Sequence, residues 1–87
     1  MGLVALQEVS RLSGVSASLL DQGVRSGLLA GLYRRQHGEV YFRPEVIALA
    51  AWSTRLGDDV EAGVVTTQEG VDLLWERADA IRAGLRP

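Results

Sequence analysis

The sequence predicts a mainly helical fold with one small β-hairpin. Over most of the chain the apolar residues recur at intervals of three and four, which is the spacing of one helix face. One stretch, LYRRQHGEVYF at 32–42, instead places β-branched and aromatic residues on either side of a His-Gly pair, a pattern typical of a hairpin. The chain has 87 residues, 47% of them hydrophobic, so we expect one domain with a modest core.

The first two predicted helices flank a glycine. A short helix over about 5–12 is ended by Gly14, because glycine adopts a positive φ without strain. Ser16 is a favourable N-cap for a second helix over about 17–26, which Gly27 closes. The residues expected to face inward are Leu6, Val9 and Leu12 in the first helix and Leu20, Val24 and Leu28 in the second. Two short helices joined by a tight glycine turn form a helix-turn-helix, whose second helix docks into the major groove of DNA.

The hairpin and a third helix follow in order. The hairpin is expected over about 32–43, with Gly38 supplying a positive φ in its turn. Pro44 fits the first position of a third helix over about 45–56, which is apolar almost all round and therefore expected to be buried. Helix, turn, helix, hairpin and helix together predict a winged helix-turn-helix over 1–56.

A polar stretch and a last helix complete the chain. GDDVEAG opens a linker over 57–66, and its carboxylates Asp58, Asp59 and Glu61 are expected to be solvated. Thr66 and Glu69 have the spacing of a capping box at the start of a helix over 67–85. The apolar stripe of this helix packs on the domain or on a second subunit, and we favour the domain because two heptads are short for a coiled coil.

The charges are unevenly distributed along the chain. The formal net charge is −2, yet residues 1–43 carry five arginines against three carboxylates, whereas residues 44–87 carry four against eight. The basic character therefore coincides with the predicted helix-turn-helix, and the acidic half would face away from phosphate. All nine basic residues are arginine, which suits bidentate contact with phosphate or guanine.

Several short motifs resemble a known family of DNA-binding domains. EVSRLSGVSASLL, followed by RSGLL and HGEVYFRPEV, resembles the DNA-binding domain of the MerR family and the related excisionases of phages and mobile elements. The matching positions are Gly14, Val15, Leu20, Gly27, Leu28, Tyr41, Glu45 and Val46. MerR regulators usually carry an arginine and two aromatic residues where this chain has Asp21, Gln22 and Gly23, and an arginine where it has Glu39. The resemblance implies a winged helix-turn-helix, and the short excisionase plan fits the length better than an effector-sensing regulator.

The exposed face of the second helix supplies the first set of candidate DNA contacts. This set consists of Ser16, Ser18, Asp21, Gln22 and Arg25. Glutamine and arginine form bidentate hydrogen bonds with adenine and guanine, so we expect Gln22 and Arg25 at base edges. The alternative is that Arg25 pairs with Asp21 one turn earlier on a solvated face.

The hairpin supplies the second set of candidates. Its members are Tyr33, Arg34, Arg35, Gln36 and His37. A basic hairpin tip reaches phosphates or a minor groove in modules of this kind. Strand alternation places Arg34 and Arg35 on opposite faces, so we expect one of them to contact DNA fully. The alternative is that these charges only keep an exposed hairpin soluble, with His37 serving as a turn residue.

Other classes of function have little support in the sequence. One histidine and no cysteine leave no catalytic triad, no zinc site and no disulfide. No pattern for a nucleotide or another cofactor is present, no small-molecule ligand is evident, and no apolar run approaches the roughly 20 residues that span a bilayer. We therefore expect a cytoplasmic protein without enzymatic activity that binds double-stranded DNA and self-associates weakly on it. The alternative is a winged-helix module that binds another protein.

Overall fold

The computed structural model describes residues 2–85, which form four helices and three short strands. In chain order they are β1 (Val4–Ala5), α1 (Leu6–Ser13), α2 (Ala17–Arg25), β2 (Tyr33–Gln36), β3 (Glu39–Phe42), α3 (Glu45–Glu61) and α4 (Thr67–Gly84). The predicted class, mainly helical with a small β-hairpin, is confirmed. The order of α1, α2, hairpin and α3 is that of a winged helix-turn-helix.

The sheet has one strand more than the predicted hairpin. It is antiparallel with the order β1-β3-β2, so β3 is its central strand. Val4 pairs with Phe42 and Ala5 with Tyr41 across β1 and β3. Two residues are too few to show the alternation of a strand, so periodicity does not predict β1. Its formation depends on pairing with a segment far along the chain. The extra strand ties the N-terminus of α1 to the hairpin.

The core lies where α1, α2 and α3 meet the inner face of the sheet. Phe42, Leu32, Val9 and Val46 are its largest fully buried side chains. Two predicted core positions differ from the structure. Leu12 is exposed, and its neighbour Ser13 is buried in its place; Leu29, rather than Leu28, is fully buried after α2. Leu28 and Leu29 follow the end of α2 at Arg25, so helical periodicity no longer determines their inward face. Leu12 and Ser13 still belong to the last turn of α1, and there the core covers the Ser13 side of the helix.

The third helix is longer than expected. It continues to Glu61 instead of ending near Leu56, so the first part of the predicted 57–66 linker is helical. Gly63, which has a positive φ of 76°, follows the end of this helix. The Val64 amide donates to the Asp59 carbonyl at 2.9 Å, a Schellman closure.

The last helix packs on the same chain. It begins with the predicted capping box, in which the Glu69 amide donates to Thr66 Oγ1 and Glu69 Oε1 accepts from the Thr66 amide. Ala78 is fully buried in the core, and Arg77 stacks its guanidinium over the ring of Trp52 at 4.5 Å. The apolar stripe thus contacts α3, whereas Trp75 remains 38% exposed.

Candidate nucleic-acid interface

The turn between α1 and α2 is fixed by local hydrogen bonds. Gly14 has φ +78°, and its amide donates to the Ser10 carbonyl at 3.0 Å. Ser13 Oγ accepts from the Val15 amide at 3.2 Å, and Ser16 Oγ accepts from the Leu19 amide at 3.2 Å. The N-cap role of Ser16 is therefore confirmed. Because each bond joins residues two to four apart, the sequence itself dictates this turn.

Helix α2 has one buried and one outward face. Leu20, Gly23 and Val24 are buried. A side chain at Gly23 is disfavoured, since a Cβ there would lie 3.0 Å from Leu29 Cδ1. The candidates on the outward face are Ser16, Ser18, Gln22 and Arg25, which are exposed, and Asp21, which is half-buried. Helical spacing places Ser18, Asp21, Gln22 and Arg25 on one face of α2, whereas Ser16 lies at its N-terminal end as the N-cap.

Arg25 and Asp21 form an ion pair on this surface. Arg25 Nε lies 2.9 Å from Asp21 Oδ2, and the arginine side chain is 78% exposed. An exposed pair at this spacing on a helix contributes only about 0.3–0.5 kcal/mol. A phosphate or a guanine edge can therefore compete with Asp21 for the guanidinium. Without such a competitor, the pair leaves the outward face of α2 uncharged.

The hairpin divides its five candidates between two faces. Arg34 pairs with Tyr41 across the strands and Arg35 with Val40, so the two arginines point to opposite sides, as predicted. Tyr33 is the exception among the candidates. Its ring is half-buried and packs on Phe42, with centroids 6.5 Å apart, so it contacts the core. Strand alternation assigns Arg35 to the same face as Tyr33, and Arg34 and Gln36 to the opposite face.

The hairpin turn consists of two residues with positive φ. His37 has φ 52° and Gly38 has φ 80°. Positive φ at both central positions defines a type I′ turn, whose twist matches that of the flanking strands. His37 is therefore a turn residue, and its exposed ring lies at the tip.

The two hairpin arginines stand out electrostatically. Among residues 2–85, carboxylates within 4.0 Å pair with Arg11, Arg25, Arg43 and Arg82. Neither Arg34 nor Arg35 has such a partner in the described part of the chain, and both are exposed. Their positive charge is therefore the least compensated in the basic half, and an anion can approach it from solvent.

Tyr41 and Glu39 were not among the predicted contacts. They share the outer face of the sheet with Arg34, and the Tyr41 hydroxyl donates to Glu39 Oε2 at 2.9 Å. This hydrogen bond to a carboxylate raises the pKa of Tyr41. Strand alternation could have assigned both residues to that face. Glu39 pairs with Gln36 directly beside the turn, so its negative charge lies next to the hairpin tip and opposes the approach of a phosphate to this part of the outer face.

Within residues 2–85, no group of three or more His, Asp or Glu side chains is arranged to hold a metal ion. None of the described helices is both long enough and apolar enough to cross a bilayer. Comparison of the chain with known protein families, curated proteins and solved structures gives no significant match.

Proposed function

We propose that this chain binds double-stranded DNA in a sequence-specific manner in the cytoplasm, as a regulator of transcription or of site-specific recombination. The observation that carries the proposal is the pair of exposed, uncompensated arginines at the hairpin beside a helix-turn-helix. Helix α2 would enter the major groove, with Gln22 and Arg25 at base edges. The hairpin would contact the flanking backbone through Arg34 or Arg35. The resemblance to excisionases points in the same direction.

The test separates the base contacts expected of α2 from the backbone contacts expected of the hairpin. Binding would be measured by fluorescence anisotropy on a duplex selected from a randomised pool, and on an unrelated duplex. We expect Arg34→Ala to weaken binding to both duplexes and to reduce the salt slope by about one. We expect Arg25→Ala to cost about 1–3 kcal/mol on the selected duplex only and to relax the preference at one base pair.

Arg55→Ala is the matched control. It removes the same charge from an exposed position on α3, in the acidic half of the chain, and should leave both affinities nearly unchanged. If Arg25→Ala weakens binding to every duplex equally, α2 does not read bases. If no duplex from the pool binds at low salt, the proposal fails.

The second candidate is a module that binds another protein. It is favoured by the Arg25–Asp21 pair, which leaves the outward face of α2 without net charge, and by the net charge of −2. Capture of a partner that depends on Gln22 but not on Arg34, in the absence of duplex binding, would support it.

Self-association is proposed to be weak and to occur on DNA. The support is that α4 buries Ala78 in its own core and bonds to the segment after α2, so part of its apolar stripe is already used. Sedimentation of the free chain should show a monomer. A stable free dimer that binds an inverted repeat would contradict this proposal.

A further inference from the structure

An open groove of about 730 Å³ lies between α2, α3 and α4. Its deeper lining includes the buried side chains of Leu20, Val46 and Ala50. Leu19, which is 57% exposed, lines it from α2, and the half-buried Leu74 lines it from α4. We call this cavity the α2–α3 groove. Its volume falls in the range of about 300–1,000 Å³ typical of small-molecule sites.

The chemistry of the lining favours an uncharged occupant. None of its described residues is ionisable. Three of its four hydroxyls already donate to backbone carbonyls: Ser53 Oγ and Thr54 Oγ1 both donate to Ala50 O, at 2.6 and 3.4 Å, and Ser26 Oγ donates to Gly23 O at 3.2 Å. The fourth, Ser16 Oγ, accepts from the Leu19 amide at 3.2 Å. A charged ligand would lose its hydration without gaining a counter-charge. An apolar ligand would displace water from apolar walls, and Gln22 offers an amide for one polar group.

The surface around the groove favours a small molecule over a protein. A stable protein partner needs about 800 Å² of surface on each side, which requires exposed apolar residues around the groove. Of the large apolar residues exposed in the described chain, only Leu19 lines the groove; Leu12, Val64, Val71, Leu73 and Trp75 do not. The apolar character is therefore concentrated inside the concavity, where a compact ligand can reach it.

We propose that the α2–α3 groove binds an uncharged, mainly apolar small molecule. Such a ligand would contact α2 through Leu19 and Gly23 and the C-terminal helix through Leu74, and so would fix the position of α2 relative to α4. Ser16 and Gln22 line the groove and also belong to the candidate DNA surface. We therefore expect the ligand to affect DNA binding. This effect rests on the proposed function, whereas the existence of the binding site does not.

The test uses N-phenyl-1-naphthylamine, an uncharged apolar fluorophore, and the full chain without DNA. We expect saturable, blue-shifted emission with one dye per chain. Ser53→Phe places a ring in the groove, and Leu19→Lys places a charge at an exposed lining position that folding tolerates. Each should weaken dye binding about tenfold or more. Ala80→Leu is the control, because it adds an apolar side chain at an exposed position of α4 outside the groove.

Circular dichroism establishes whether each variant is folded. If Ser53→Phe does not fold, the dye affinity of Leu19→Lys alone tests the proposal. Unsaturable emission, or equal affinity in Leu19→Lys and the native chain, would overturn the proposal. Dye binding that is lost equally in Ala80→Leu would also overturn it. A dimer that Leu19→Lys disperses would assign the groove to a second copy of the chain. Because DNA is absent, failure here leaves the proposed DNA binding intact, and failure of DNA binding leaves the dye result intact.

Discussion

Arg82 links the C-terminal helix to the segment that follows α2, and its replacement by alanine tests this link. Arg82 Nη1 donates to the Leu28 carbonyl at 2.6 Å and to the Ala30 carbonyl at 3.1 Å. Nη2 pairs with Asp79 on the same helix, and the arginine side chain is only 20% exposed. The Arg82→Ala variant therefore leaves two carbonyls without this donor and removes a packed aliphatic stem.

The cost can be worked out from these contacts. The bond to Leu28 is part-buried, and a charged donor on such a carbonyl contributes about 1.5–3 kcal/mol. The bond to Ala30 is exposed and contributes about 0.5 kcal/mol, because water can replace the donor. We expect a loss of about 2–3.5 kcal/mol in the free energy of unfolding, which for a domain of this size lowers Tm by about 8–28 °C.

Urea denaturation followed by far-UV circular dichroism measures this loss. Arg55→Ala is the control, since it removes an exposed helical arginine that has no described carboxylate partner, and it should change stability by less than about 0.5 kcal/mol. Arg82→Lys should fall between the two variants, because an ammonium is a point charge without the fixed fork of a guanidinium. A change below about 0.5 kcal/mol for Arg82→Ala would refute the inference that this residue anchors α4.

Two further predictions concern local signals. The Thr66 amide lowers the pKa of Glu69; the carboxylate therefore stabilises the fold above the unfolded pKa of about 4.3, and this contribution disappears as pH falls through the lower folded value. The free energy of unfolding should thus decline below about pH 4.5, and it should decline less in Glu69→Gln than in the native chain. Equal pH dependence in the two proteins would contradict the role of Glu69 in the capping box. Gly14→Ala should destabilise by about 1–2 kcal/mol, because φ is +78° there. Gly57→Ala, at an open helical position, should stabilise by about 0.5–1 kcal/mol, and thermal melts that give both changes the same sign would refute the backbone argument.

The features that the sequence determined by itself are the local ones. Gly14, Ser16 and the His37-Gly38 turn act through their own backbone angles or through bonds to residues a few positions away. The capping box of α4 closes between residues three apart. These interactions form within a single turn, so the residue types specify them before any distant segment is in place. The exposed polar face of α2 follows from the same short periodicity.

The tertiary structure decided the features that depend on distant segments. Strand β1 exists because Val4 meets Phe42. The extension of α3 is supported by Val60, whose Cγ2 lies 3.0 Å from where a Cβ on Gly70 would stand, so the missing side chain lets the two helices approach closely. The bond from Arg82 to Leu28 and the α2–α3 groove likewise join residues from separate parts of the chain. Such contacts depend on the path of the whole chain. Helical or strand spacing indicates which face of an element is apolar, but not which other element packs on that face.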